Sequence, residues 1–439
     1  MLNFRKHLSL PALLDTIRET FNLIPDHRPE KKKNKISITD ALMSGLAVFG
    51  LKYSSLLRFD EDKNEAIIAH NLRTLYGIQQ PPSDTYMREI LDPISPDKLH
   101  PVFENIFKQA QRGKSLESYV YLEDSYLVAM DGTGQFSSHT ISCPDCCQKH
   151  HRNGTTTYYH QLLAAVLIHP NKSEVIPFAP EPITHQDGNN KNDCERNAAK
   201  RLLNRIRQTH PHLKLIITED GLSSNAPHIN LLKSLNMRFI LGAKPGDHEY
   251  LFNQVETKAQ NNEVKEWQFE DKQGVIHRFH FINDIALNAS NSNLKVNFLQ
   301  YFEVKGNKIQ QFSWVTDFTL TKDNILSIMK GGRARWKIEN ETFNTLKNQG
   351  YHFEHNYGHG NKHLSSIFSL LMMLAFLVDQ VQQLCCTVFK EALKKRRTKV
   401  SFWERIRSLF ISHYISNWKD LFDAIILGHT PHKLKPNTS

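Results

Sequence analysis

Residues Gly331–Lys347 read GGRARWKIENETFNTLK. Two glycines open the stretch and no proline interrupts it, which predicts a helix beginning after Gly332. Arg335 and Glu339 are four residues apart and share a helical face. Trp336, Asn340, Phe343 and Lys347 follow a neighbouring stripe. Alone, this describes an exposed helix with an ion pair of small energetic consequence. Two acids upstream give it another meaning. Asp131 and Asp220 each close an apolar, strand-like run. Three carboxylates carried by two strands and a late helix are the ligand set that a divalent-metal phosphoryl-transfer site requires.

Working outward, Ser125–Met130 (SYLVAM) predicts a strand ending at Asp131, and Thr155–His169 and Glu174–Phe178 predict two more. Asn192–Arg207 places Ala198, Ala199, Leu202, Leu203 and Ile206 on one face of a helix. Leu213–Thr218 (LKLIIT) reads as a fully buried strand ending at Glu219 and Asp220, and Gly221 breaks it. A helix over Asn230–Leu235 and a strand over Arg238–Gly242 follow. The order β-β-β-α-β-α-β predicts an α/β fold: a ribonuclease H-like mixed sheet flanked by helices. An acid at a strand end is commonly a turn residue. Two in this order, followed by RWxIE on a helix, point to a site. Between Asp220 and that helix, Lys265–Val315 alternates or runs apolar, with turns at Asp271–Gly274 and Lys305–Asn307. A β-rich insertion is the economical reading, and a separate β domain is the alternative.

The 439 residues exceed one small domain. The boundaries read as a helical DNA-binding region (1–115), a first core part (120–245), the β-rich insertion (246–320), a second core part with the signature helix (321–385) and a helical basic tail (386–439). Lys and Arg number 55 against 45 Asp and Glu, a formal +10, which suits a polyanion and nucleic acid first. The segment PDHRPEKKKNK offers Arg28, Lys31, Lys32, Lys33 and Lys35 to phosphates, or is a solvated loop. Ser37 and Ser83 look like helix caps. No secretory signal is expected from the charged opening, and the apolar run Ile367–Val378 is too short to span a bilayer, so the expectation is a cytoplasmic, nucleoid-associated protein without a membrane partner. Ser365–Leu393 predicts one long helix in the core or at a dimer face. KEALKKRRTK (Lys390–Lys399) is a basic run that suits DNA or a solvated helix end, and residues after Pro431 read as disordered.

These motifs resemble those of DDE transposases of bacterial insertion sequences, the branch with a β insertion and a Y-x2-R-x3-E-x6-K signature. The resemblance covers residues 120–380 and rests on Asp131 in VAMDGT, Asp220 in IITEDG, and Arg335 with Glu339 in RARWKIENETFNTLK. It implies that Asp131, Asp220 and Glu339 hold two Mg²⁺ ions, which Mn²⁺ can replace. It implies hydrolysis at transposon terminal inverted repeats, attack of the freed 3′-hydroxyl on target DNA, and synapsis by a homodimer. Glu219 is a lesser ligand candidate and Glu341 an alternative third acid. Arg335 suits a phosphate, Lys347 the DNA backbone, and Trp336 either a displaced base or the core. The chain departs from the signature twice. Gly332 fills the tyrosine slot, and Leu346 stands seven after Glu339, with Lys347 one later. On a regular helix that extra residue turns Lys347 by about 100°. A ribonuclease H-like nuclease or resolvase, and an inactive transposase-derived DNA-binding protein, are the competing readings.

The six cysteines are not a secreted disulfide framework in so long a chain. Cys143 and Cys146 in CPDCCQKHH have the CxxC spacing of a zinc knuckle, with His150 or His151 nearby and Cys194 as a fourth candidate; free surface thiols are the alternative. His185, Asp187 and Asp193 crowd EPITHQDGNNKNDCE, a loop near the DNA or, more simply, a polar turn, and HFEHNYGHG (His352–Gly360) is a His- and Gly-rich loop near the DNA end or a plain connection.

Overall fold

The computed structural model describes residues 6–29, 36–188, 191–428 and 435–436. Lys31, Lys32, Lys33 and Lys35 lie outside these residues, as does most of the stretch after Pro431. Helices α1 (Leu10–Phe21), α2 (Ile38–Gly50), α3 (Leu56–Asp62), α4 (Ala66–Tyr76), α5 (Asp84–Leu91) and α6 (His100–Arg112) precede the sheet. Ser37 and Ser83 do cap: their hydroxyls accept the backbone N–H groups of Asp40 and Tyr86. Arg28 is not available to DNA. It is buried, and its guanidinium donates to Asp26 at 2.7 Å, to the Ile36 carbonyl at 2.7 Å and to the Tyr86 hydroxyl at 3.1 Å. Four of its five donors are spent inside the fold and the side chain is buried, so Arg28 leaves the DNA-binding set.

An 11-stranded mixed sheet forms the centre. β1 (Tyr126–Ser138) pairs antiparallel with β3 (Thr156–Ile168), which also pairs with β2 (Cys147–His150) and the short β4 (Ile176–Pro177) and β5 (Glu181–Ile183). On its other edge β1 runs parallel to β6 (Leu215–Glu219), and β6 runs parallel to β7 (Arg238–Gly242). Helix α7 (Lys191–Thr209) packs on β3 and β5, and α8 (Ala226–Ser234) on β7. Cover on both faces explains why β6 is buried at every residue and reads as an unbroken apolar run. β1 does not stop at Asp131, as the sequence suggests. Its long partner β3 carries it on to Ser138, through a bulge between Gly134 and Phe136. Asp131 therefore lies mid-strand, opposite Ala164, at the point where pairing with β6 ends.

After α9 (Glu249–Gln260), strands β8 (Lys265–Glu270), β9 (Ile276–Ala286), β10 (Lys295–Lys305) and β11 (Lys308–Thr316) form an antiparallel meander. β11 pairs with β7, so this β-rich segment extends the main sheet instead of standing as a separate β domain. Gly306, at φ +57°, makes the two-residue turn that closes β10 onto β11.

The signature stretch differs from a helix starting after Gly332. Both glycines belong to the end of α10 (Ile325–Arg333), a turn follows at Ala334–Arg335, and Ile338–Phe343 is π-helical before α11 (Asn344–Asn348). Gly332 ends that helix flat against the sheet, where any side chain would drive into the Trp314 indole of β11. Gly332→Ala is expected to destabilise by about 1–3 kcal/mol through overpacking. A urea unfolding midpoint checks this, and Trp314→Leu should recover part of the loss.

α12 (Leu364–Cys385) is long and apolar enough to cross a bilayer, but 94% of its apolar window is buried inside the fold. It ends at Cys386 instead of continuing to Leu393, and α13 (Thr387–Lys394), α14 (Lys399–Ser412) and α15 (Trp418–Leu427) complete the chain. α12 packs on α2 and α15 follows it into the same continuous core, which runs from Leu8 to Ile425.

Candidate active site

Parallel pairing of β1 with β6 ends at Ala129 and Thr218. Two residues further on each chain stand Asp131 and Asp220. The two line one cavity with Glu195, Glu219, Arg196 and His228. Asp131 accepts the Gly132 N–H at 2.8 Å through Oδ1 and meets Arg335 Nη1 at 3.1 Å through Oδ2. The same nitrogen reaches Glu339 Oε1 at 2.8 Å. One guanidinium thus joins an acid from the central strand to an acid from the π-helical turn. Asp220 caps the 3-10 turn Gly221–Ser223, accepting the Leu222 N–H at 3.0 Å.

Burial is the main influence on Asp131 and pushes its carboxyl up to about 7; Arg335 opposes this, while the charges of Glu339 and Glu195 add to it. Asp131, Asp220, Glu195 and Glu219 gather here, with Glu339 joined through Arg335, against Arg335, Arg196 and His228, so the acids outnumber the basic groups. That is a condition for tight binding of a cation.

Glu195 was not evident in the sequence. It sits on α7, and its carboxylate lies 3.3 Å from where a Cβ at Gly132 would be, so the glycine leaves it room. The only sequence signal was a DGT motif, whose glycine permits close approach. Glu219 is otherwise engaged: it accepts from Ser223 Oγ at 3.1 Å and pairs with His228 at 2.5 Å. Burial would lower the His228 imidazole, but the Glu219 carboxylate outweighs it and raises the group. Glu341 acts on the half-buried Lys399 of α14, whereas Glu339 shares Arg335 with Asp131. Of the two acids, Glu339 is the one joined to Asp131 through Arg335.

Asp220, Arg335 and Trp336 also line an open cleft of about 420 Å³ with Lys244, Gly242 and Trp314. Trp336 is 51% exposed beside the Arg335 guanidinium, 5.8 Å from the ring centre, so the core reading of this tryptophan does not hold. Lys347 pairs with Glu354 at 2.8 Å.

Two of the proposed zinc ligands are replaced. Cys143 and Cys146 converge with His160 and His359. His150 instead bonds Thr156 Oγ1 at 3.0 Å, and Cys194 lies buried near Gly188, its thiol 3.5 Å from that carbonyl. Asp187 is held in a polar turn by Arg201 and the Thr184 N–H, which removes it from the DNA-facing candidates, and no side-chain placement is described for Asp193. No protein family matches the chain, and no curated protein does.

Proposed function

We propose that the chain is a DNA transposase of the DDE type, built on a ribonuclease H-like core. The observation that carries this reading is the Arg335 bridge between Asp131 and Glu339, with Asp220 lining the same cavity as Asp131. The sheet order supports the core assignment: β4 and β5, then β3, then β1 run antiparallel, and β6 and β7 follow β1 in parallel.

The donor set fits Mg²⁺. Its groups are carboxylate oxygens on separate elements, and thiolates and imidazoles are absent from the ligand trio. When bound, a pair of such ions supplies an activated oxygen nucleophile and neutralises the phosphate and leaving group. The chain's own residues do the rest. Asp131, Asp220 and Glu339 fix where positive charge is held. Arg335, released from part of its carboxylate load, turns its planar donor fork to a phosphate. Lys244 and the exposed Trp336 face the cleft where DNA would lie, the one as a point charge and the other as a stacking platform.

The π-helical turn bears on Lys347. A single π turn takes up one additional residue without rotating the helix beyond it. The extra residue between Glu339 and Lys347 falls within Ile338–Phe343, so Lys347 regains the side on which the signature lysine stands. The reading includes binding of terminal inverted repeats and target DNA by a homodimer.

The test is the purified protein with Mg²⁺ and DNA carrying the nucleotides that flank its own coding region. Cleavage at the repeat ends followed by joining of a 3′-hydroxyl end to a second duplex is expected. Cleavage without joining would favour a nuclease or resolvase, and binding alone an inactive derivative. Trp336→Ala is expected to weaken end binding by about 1–3 kcal/mol with an unchanged melting temperature. Unchanged affinity in a titration would remove the stacking role.

A further inference from the structure

We propose that Cys143, Cys146, His160 and His359 form a structural zinc site, independent of the carboxylate cavity. The four ligand atoms lie within 4.8 Å of one another. Cys143 Sγ and Cys146 Sγ are 3.8 Å apart. His160 Nε2 stands 3.4 Å from Cys143 Sγ and 3.5 Å from Cys146 Sγ, and His359 Nε2 stands 3.4 Å from Cys146 Sγ. A tetrahedron built on Zn–S and Zn–N bonds of ordinary length has edges of about 3.8 Å between sulfurs and about 3.6 Å between sulfur and nitrogen. These four of the six spacings lie within about 0.2 Å of those edges. They do not match a disulfide, whose sulfurs lie about 2.05 Å apart.

The chemistry agrees with the geometry. Two thiols and two imidazoles on a hydrogen-bonded turn, a strand and a distant loop have no reason to converge on one point as free side chains. Cys146 and His160 are buried and His359 half-buried, so the cluster is not a set of surface thiols. Binding of Zn²⁺ displaces the two thiol protons to solvent, and four protein ligands leave no open position for catalysis.

The site joins parts of the chain that meet nowhere else in sequence. Cys143 and Cys146 lie between β1 and β2, the Cys146 N–H donating to the Cys143 carbonyl at 3.1 Å. His160 is on β3, opposite Phe136 of β1. His359 is in the segment between α11 and α12, and its ring packs 5.3 Å from Phe136. The metal therefore clips the loop that follows Glu339 onto the hairpin that carries Asp131. Asp145 and His363, 3.5 Å apart, make a second contact between the same two loops.

Elemental analysis of the full chain purified under reducing conditions is expected to give about one zinc per chain. Co²⁺ exchanged into the protein should show the visible bands of a tetrahedral site and thiolate charge transfer. His359→Ala and Cys146→Ser should lose the metal, and His150→Ala and Cys194→Ser should keep it. Should the first two fail to fold, mercurial titration of the unaltered protein reads the same point, zinc leaving as two thiols react. Folded protein without zinc, zinc retained by Cys146→Ser and His359→Ala, or a Cys143–Cys146 disulfide under reducing conditions would overturn the proposal. None of these readouts involves DNA, so they stand or fall apart from the transposase reading.

Discussion

Asp131→Asn, Asp220→Asn and Glu339→Gln are each expected to lower Mg²⁺-dependent cleavage of DNA ends by roughly 10³-fold or more, with end binding preserved. Each change keeps the side chain's shape and removes the charge that a hard cation needs. Asp131 has the further property that its charge is costly to the metal-free fold. Its carboxyl is pushed from an ordinary 3.8 up to about 7, first by burial and then by Glu339 and Glu195, against the pull of Arg335. Between those two values the folded state holds a proton that the unfolded state has released. Stability of the chelated protein should therefore fall as pH rises from about 4 to about 7, by a few kcal/mol from this group. Asp131→Asn should flatten that fall and melt no lower than the parent at pH 8, while being inactive. Mg²⁺ should stabilise the parent more at pH 8 than at pH 6. Thermal melts in chelator and in Mg²⁺ at both pH values check this. Full cleavage by any of the three variants would remove that residue from the site.

The second large effect concerns the joint between the N-terminal helices and α12. Lys52, just past α2, is wholly buried, and its ammonium meets Asp379 of α12 at 2.7 Å. The Tyr351 hydroxyl donates to the same carboxylate, and the ammonium also lies 4.1 Å from the Tyr351 ring and 4.3 Å from that of Trp403. Burial pulls the Lys52 ammonium down, and Asp379 opposes that pull. Removing Asp379 strands the Lys52 ammonium without water or counter-charge. Asp379→Leu is expected to cost about 3–5 kcal/mol, whereas adding Lys52→Met to it should recover most of the loss. Denaturant titrations of the two singles and the double measure the coupling. Single variants within about 1 kcal/mol of the parent would show that the pair does not hold this joint.

Much of the candidate site was legible because its residues obey local rules. Asp131 and Asp220 stand out against apolar runs, and Arg335 with Glu339 follows helical spacing. What was not legible depends on partners remote in sequence. Asp131 continues its strand because β3 is long. Glu195 lies on the polar side of an amphipathic helix, where an acid has no distinguishing neighbour. The CxxC pair pointed to a Cys/His cluster, but sequence proximity nominated His150, whose ring goes to Thr156. His160 and His359 arrive by strand pairing and by a loop that closes over it. Arg28 reads as part of a basic linker, yet Asp26 two residues earlier turns it inward. The π-helical turn follows no simple sequence rule, and it is what alters the meaning of the shifted lysine.

The most direct test is an anomalous-scattering map from crystals of the protein with a DNA end and Mn²⁺. Two peaks roughly 3.5–4 Å apart, bounded by the carboxylates of Asp131, Asp220 and Glu339, are predicted. Manganese bound elsewhere, or at one of these acids with the other two pointing away, would contradict the account.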